Sequence, residues 1–331
     1  MDWQIILQWS FLVSLISAAV RLTVPVLIAV LGEIITESSG ILNLGLEGIM
    51  AMGAVTGFLC SYYLEHSAWG PVLGEGSTWI ALVLGMLAGA LMGLIMAVLS
   101  ITLKADQVIC GITLVVFGIG LSNYLYRQIF ATLSERVAGL SAVHIPVLSD
   151  IPVVGDILFN HDPTVYLALF LVVAVWFFLF HTTFGLKIRS VGESPEAAET
   201  SGVSVAKVRY AATLIGASLV GLAGAVLTSV QLTLFREGIT AGKGWIAVAL
   251  VIFARWRHPR LALIGALLFG FADAIQYRIQ ALSQEALGAG AIPYEFLLML
   301  PYILTIAVLY YRSTKIDQPA ALGRPYIKGS R

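Results

Sequence analysis

Long apolar runs broken by short polar stretches set the pattern of this chain. A bilayer-spanning helix needs about 20 mostly apolar residues, and runs of that kind recur along the sequence. Their limits predict helices over residues 11–31, 44–64, 78–99, 105–125, 164–181 and 208–230. Two shorter helices follow over 244–254 and 261–276, and a last one over 294–311. The expected fold is all-α: a polytopic integral membrane bundle of about nine helices, within a range of about eight to ten, with room for one re-entrant segment. The whole chain, 1–331, reads as one transmembrane domain.

The breaks are unequal. Residues 126–163 form a long hydrophilic loop with prolines and mixed charge, and 312–331 form a polar tail. Residues 182–209 carry a helical pattern of their own. There Ser194, Pro195 and Glu196 read as an N-cap, a proline at the first helical position and an acid in the first turn. A helix over 196–200 follows, with Gly202 as its stop. Such a helix between two spans suits a docking surface for a partner and equally suits a turn lying on the membrane.

Lys and Arg set the expected orientation, because they concentrate in cytoplasmic loops. With 182–209 inside, the inner side holds Lys104, Lys187, Arg189, Lys207, Arg209, Arg255, Arg257, Arg260, Arg312, Lys315, Arg324, Lys328 and Arg331. The outer side holds Arg127, Arg136, Arg236, Lys243 and Arg278. This makes 126–163 extracytoplasmic and 182–209 cytoplasmic, and puts the tail in the cytoplasm. The first residues lack a basic start and a small-residue cleavage site, so the first apolar segment is expected to remain as a membrane helix.

Composition agrees with lipid as the solvent. Hydrophobic residues make up 59% of the chain and charged residues 11%, against about 25% charged in soluble domains. The net charge of zero gives no pull toward nucleic acid. Cys60 and Cys110 lie in apolar runs and read as reduced thiols, and the histidines show no metal-ligand spacing. Gly85, Gly89 and Gly93 share one helix face, which is a packing signal.

Ionisable groups at membrane depth are costly and therefore candidates for function. Glu33, Glu37, Asn43 and Glu47 cluster between the first two apolar runs, Asn43 and Glu47 sharing a face if that stretch is helical. Arg21 is a candidate partner for one of these acids. Gln107, Asn123 and Asp273 are further candidates for the pathway or its gate, each equally readable as an interhelical hydrogen bond. The stretch 238–244 is glycine-rich and precedes a short helix, as half-helices beside a central pathway do. It fails as a phosphate loop: Gly238 to Gly242 is one residue short, and Gly244 follows Lys243 where Ser or Thr belongs. Ser218 has no histidine within reach of a helix core, which argues against an intramembrane protease.

Several stretches resemble one family: GEIITESSGILNLGLEGIMAMGA at 32–54, KADQVICGI at 104–112, VGESPEAAETSGVSV at 191–205, GLAGAVL at 221–227, ITAGKGWIAVALVIFARWRHP at 239–259, FGFADAIQ at 269–276 and PYEFLLMLPYILT at 293–305. Their order and spacing are similar to those of permease subunits of bacterial ABC importers of the branched-chain amino acid and ribose type, above all the second permease of nucleoside or simple-sugar systems. One departure is Glu37-Ser38-Ser39-Gly40, where the family usually has Glu-Arg-Ser-Gly.

The resemblance implies half of a translocation pathway for nucleosides or simple sugars in the bacterial cytoplasmic membrane. It implies ATPase subunits, a second and non-identical permease, an extracytoplasmic binding protein or lipoprotein, and surrounding lipid as partners. The chain itself is then no enzyme and holds no cofactor, ATP being hydrolysed by the partner. Glu193, Glu196, Ala197, Ala198 and Gly202 match the loop that docks on the ATPase, and Pro195 lies among them. From the residues alone, an ion-coupled secondary transporter is the alternative, which the intramembrane carboxylates would serve.

Overall fold

The computed structural model describes residues 9–130, 135–286 and 317–327, with a few single positions between 296 and 310. It is built from helices: α1 (Trp9–Ser38), α2 (Leu46–Glu65), α3 (Gly76–Ala97), α4 (Gln107–Phe130), α5 (Pro163–His181), α6 (Thr183–Glu193), α7 (Pro195–Thr200), α8 (Val205–Val226), α9 (Lys243–Phe253) and α10 (Pro259–Ala286). A single turn, Gly70–Leu73, precedes α3, and π turns over Val98–Thr102 and Leu227–Gln231 extend α3 and α8. Two strands, β1 (Val143–His144) and β2 (Asn160–His161), pair antiparallel inside the long loop.

Among the described residues six helices are long and apolar enough to cross a membrane: α1, α3, α4, α5, α8 and α10. Helix α2 is not one of them, because Glu47, Ser61, Tyr62, Tyr63 and Glu65 dilute its apolar run. Helix α9, at 11 residues, is too short, and the expected helix over 294–311 falls outside the continuously described residues. The architecture is a polytopic helical membrane protein, and the count of about nine crossings is not reached by the described helices.

Lipid-facing and protein-facing positions separate clearly. Leu87, Leu91, Val116, Phe170 and Val173 lie exposed on helix flanks. In water such a girdle would aggregate, whereas hydrocarbon accepts it. Helix α8 is the centre, with 78% of its apolar window buried against 28% for α4. Its glycines explain how. A Cβ on Gly221 would stand 2.3 Å from the Gly85 carbonyl oxygen and 2.7 Å from the Gly89 Cα. Backbones of α3 and α8 therefore meet without intervening side chains, the means by which helices associate where lipid removes the hydrophobic drive.

The fold has two distinct ends. One carries the long loop with β1 and β2. The other carries α6, α7, the turn after α1 and residues 317–327. At this second end Ala321 N–H donates to the Gly192 carbonyl at 2.9 Å, and Gly323 N–H donates to the Gly40 carbonyl at 3.1 Å. Gly40 takes φ +89°, the left-handed region that glycine tolerates, to turn the chain out of α1.

Candidate functional site

The carboxylates of Glu33, Glu37 and Glu47 are all buried, and each is held by a different neighbour. Glu47, in the first turn of α2, is 4% exposed. Its Oε1 accepts the Gly242 N–H at 2.8 Å and its Oε2 accepts the Gly244 N–H at 2.7 Å. Those N–H groups belong to the start of α9, where no earlier turn can satisfy them, and the helix dipole favours an anion there. Gly244 is required at this spot because a Cβ would lie 2.5 Å from the Glu47 nitrogen.

Asn43 lies before α2, so it does not share a helix face with Glu47. Its Oδ1 accepts the Gly45 N–H at 3.1 Å, and its Nδ2 donates to Glu33 Oε2 at 3.3 Å. Glu33 Oε1 is buried without a hydrogen-bond partner among the described residues. Glu37, one turn on, accepts a hydrogen bond from the Trp256 indole Nε1. Trp256 is a functional candidate that the sequence reading missed. It sits after α9 where Arg255 and Trp256 both adopt left-handed backbone, φ +56° and +57°. Non-glycine residues held there cost of order 1–3 kcal/mol each. The Arg-Trp-Arg-His-Pro run at 255–259 is the signal that could have found it.

The remaining polar candidates scatter. Asp273 of α10 pairs with Lys243 at 3.1 Å, their side chains 13% and 12% exposed. Lys243 is thus inside the bundle and not among outer-side cations as its sequence position suggested. Gln107 is buried, and its Oε1 accepts the Leu42 N–H at 2.7 Å, tying α4 to the turn after α1. Asn123 lines a small void with Ala51, Phe235 and Thr240, apart from the carboxylates. Arg21 is exposed and makes no salt bridge to Glu33, Glu37 or Glu47. It lies three turns of α1 away from Glu33, out of reach.

The short helix forms as its residues dictate. The Ser194 side chain accepts the Ala197 N–H, Pro195 occupies the first helical position, and Gly202 ends the segment at φ +83°. Ala198 is buried, which anchors the helix, while Glu196, Ala197 and Gly202 are exposed. Glu193 forms an ion pair with Arg257. Ahead of it α6 is a further helix, capped by Thr182, whose hydroxyl accepts the Gly185 N–H at 3.0 Å. Residues 317–327 brace this end. Tyr326 OH donates to Glu199, Asp317 pairs with Arg255, and Arg209 Nη1 donates to the Arg324 carbonyl at 3.1 Å. Arg209 is 1% exposed and also donates from Nε to the Ser39 carbonyl at 3.2 Å. It is a buried tie rather than a surface cation.

A helical membrane bundle with buried polar groups in its interior and an exposed capped helix at one end has the build of a membrane permease. The chain matches, over residues 15–309, the family described as branched-chain amino acid transport system, permease component, and belongs to that family. It is 39% identical to a putative glucose ABC transporter permease protein of Haloferax volcanii, over 96% of this chain and 98% of that one. It is 38% identical to a guanosine ABC transporter permease protein of Bacillus subtilis, over 96% and 97% of the two chains. With a nucleoside ABC transporter permease protein of Lactococcus lactis it shares 34% identity over 92% and 93%. No solved structure matches it.

Proposed function

We propose that this chain is the permease subunit of an ABC importer and forms half of the translocation pathway for a nucleoside or simple sugar. The relatives named for guanosine, nucleoside and glucose transport support the solute class. The observation that carries the coupling is α7: a capped helix seated on buried Ala198 that leaves Glu196 and Ala197 free on the surface. A partner ATPase would grip that face, with Glu193, Pro195 and Gly202 fixing its edges. Movement there reaches the bundle through Glu193–Arg257 and the Tyr326–Glu199 contact. In thermodynamic terms ATP binding is linked to a two-state bundle through this one interface.

The cations support an end-on orientation. Lys187, Arg189, Arg255, Arg257 and Arg324 gather at the α6–α7 end, which would face the cytoplasm together with residues 317–327. The long loop would face outward toward a binding protein or lipoprotein, and a second, non-identical permease would complete the pathway. Glu33, Glu37, Asn43, Glu47, Gln107, Asn123 and Asp273 would supply the gate or lining. The N–H groups at Gly242 and Gly244 are already taken by Glu47. This supports leaving nucleotide hydrolysis to the partner.

The test is uptake of radiolabelled nucleosides and sugars by proteoliposomes holding this chain with its neighbouring permease, ATPase and binding protein. Uptake that requires ATP is the expected result. ATP-independent uptake abolished by an ionophore would overturn the assignment and make the interior carboxylates ion-coupling groups.

A further inference from the structure

At the loop-bearing end, α1, the π turn after α8, α10 and the β2 segment enclose a cavity of about 340 Å³. Small-molecule sites have volumes of roughly 300–1,000 Å³. A neighbouring cavity of about 500 Å³ shares two of its walls, Arg21 and Asn160. Arg21 therefore stands at the junction of one continuous groove.

Three features mark this groove as a place for a ligand. First, Arg21 lies within the Phe11–Ser38 span, roughly 15 Å along the helix from its start at 1.5 Å per residue. A guanidinium at such a position faces water or a polar guest. Arg21 forms no ion pair among the described residues and lines both cavities. Second, two buried polar atoms at the groove wall lack hydrogen-bond partners: His161 Nδ1 and Gln231 Oε1. His161 is 1% exposed. A buried polar atom without a partner is costly, so a small turn of either side chain toward a guest in the groove offsets that cost. Third, Tyr277 of α10 presents an exposed ring along one wall, a surface on which a flat or puckered ring can stack.

The charges limit the guest. The Asp162 Oδ1 caps α5 by accepting the Thr164 N–H at 3.0 Å, and Asp156 lines the adjoining cavity with Arg21. Arg278 donates to Ser14 at 2.8 Å and lies over the Phe11 ring. The lining therefore offers the Arg21 guanidinium balanced by carboxylates, together with side-chain amides, an imidazole and an aromatic face. That set suits an uncharged ring solute rich in hydroxyl or carbonyl groups.

We infer that this groove is the receiving site for the transported solute on the loop-bearing face, with Arg21 as its main donor and Gln231 and His161 as the groups that read its hydroxyls. The inference rests on the permease reading above and adds to it a place and a chemistry.

The test uses the complete reconstituted complex. A single cysteine is placed at Ala18, which lines the groove, with Cys60 and Cys110 replaced by Ala. A membrane-impermeant maleimide is then added from the loop side, with and without the nucleoside or sugar that the wild-type complex takes up fastest. The expected result is labelling that this solute slows at least severalfold. Labelling that the solute leaves unchanged, or no labelling of a complex that still transports, overturns the site.

In parallel, Arg21→Gln is expected to raise KM for uptake about tenfold, the loss of one charged hydrogen bond, with maximal rate kept and Arg21→Lys restoring part of the affinity. An unchanged KM overturns the role of Arg21. If Arg21→Gln does not assemble, the protection experiment decides alone. Protection needs no ATP, so uptake that proves independent of ATP would fail the permease reading and leave the groove separately tested.

Discussion

The carboxylate of Glu47 spans the backbone N–H groups of Gly242 and Gly244, at 2.8 and 2.7 Å, so the first turn of α2 holds the first turn of α9. Each bond has a charged acceptor in a site removed from water, where such bonds are worth about 1.5–3 kcal/mol. Glu47→Gln keeps one acceptor and turns an amide NH₂ against an N–H. It is expected to lose about 2 kcal/mol of stability, seen as a lower melting temperature in detergent, together with reduced uptake. An unchanged melting temperature would mean the contact is dispensable.

The pair Lys243–Asp273 joins α9 to α10 with little exposure. Removing one partner of a buried ion pair strands the other and costs about 3–5 kcal/mol, whereas replacing both can be neutral. Lys243→Met and Asp273→Leu singly should therefore lower thermal stability more than the double variant does. Additive losses would show that the two side chains are not energetically coupled.

Close backbone approach at Gly221 predicts a sharp contrast among glycines. Gly221→Ala drives a Cβ to 2.7 Å from the Gly89 Cα, and overpacking of this kind costs about 1–3 kcal/mol. Gly120→Ala, which meets nothing within 4 Å on α4, should be neutral or slightly stabilising. Melting curves of the two variants, measured side by side, check this.

Coupling through α7 predicts a functional loss without a structural one. Glu196→Lys reverses charge on an exposed face and should lower ATP-driven uptake about tenfold, equivalent to about 1.4 kcal/mol at the interface. The melting temperature of the isolated chain should not move. Full uptake by this variant would remove α7 from the docking surface.

Alkaline pH should loosen residues 317–327. The hydrogen bond that Tyr326 donates to Glu199, with the nearby charges of Glu199 and Glu196, raises the phenol above its usual value near 10. The folded state therefore holds this proton more tightly than the unfolded chain. The contribution is complete below pH about 10 and disappears as pH climbs through the raised value. Proteolysis of the segment should accelerate in that window, and Tyr326→Phe should abolish the pH dependence.

The helices were legible because lipid imposes length and apolarity on each of them. The predicted 78–99, 164–181 and 208–230 differ from Gly76–Ala97, Pro163–His181 and Val205–Val226 by a few residues at most. The capped helix at Pro195–Thr200 was equally legible, since its signals are contiguous in sequence. Partners were not. Glu37 and Trp256 are 219 residues apart, and no local pattern announces that pairing. Arg21 was expected against an acid and Lys243 on the outer face, because sequence position reports depth poorly where a segment such as 232–242 runs irregularly into the bundle. Arg209 was placed among the inner-side cations, and its burial was not legible for the same reason: charge is visible in sequence, and the carbonyls of Ser39 and Arg324 that accept from it are not.

Residues 317–327 follow in the chain every element that they tie: the turn after α1, the ends of α6 and α9, α7 and Arg209 of α8. Synthesis proceeds from the N-terminus, so during membrane insertion the α6–α7 end stays open until this segment emerges and closes over it. A chain halted before residue 317 would carry all the described helices and yet leave Arg255 and Glu199 without Asp317 and Tyr326. In chain order this segment is the last continuously described one to join this end.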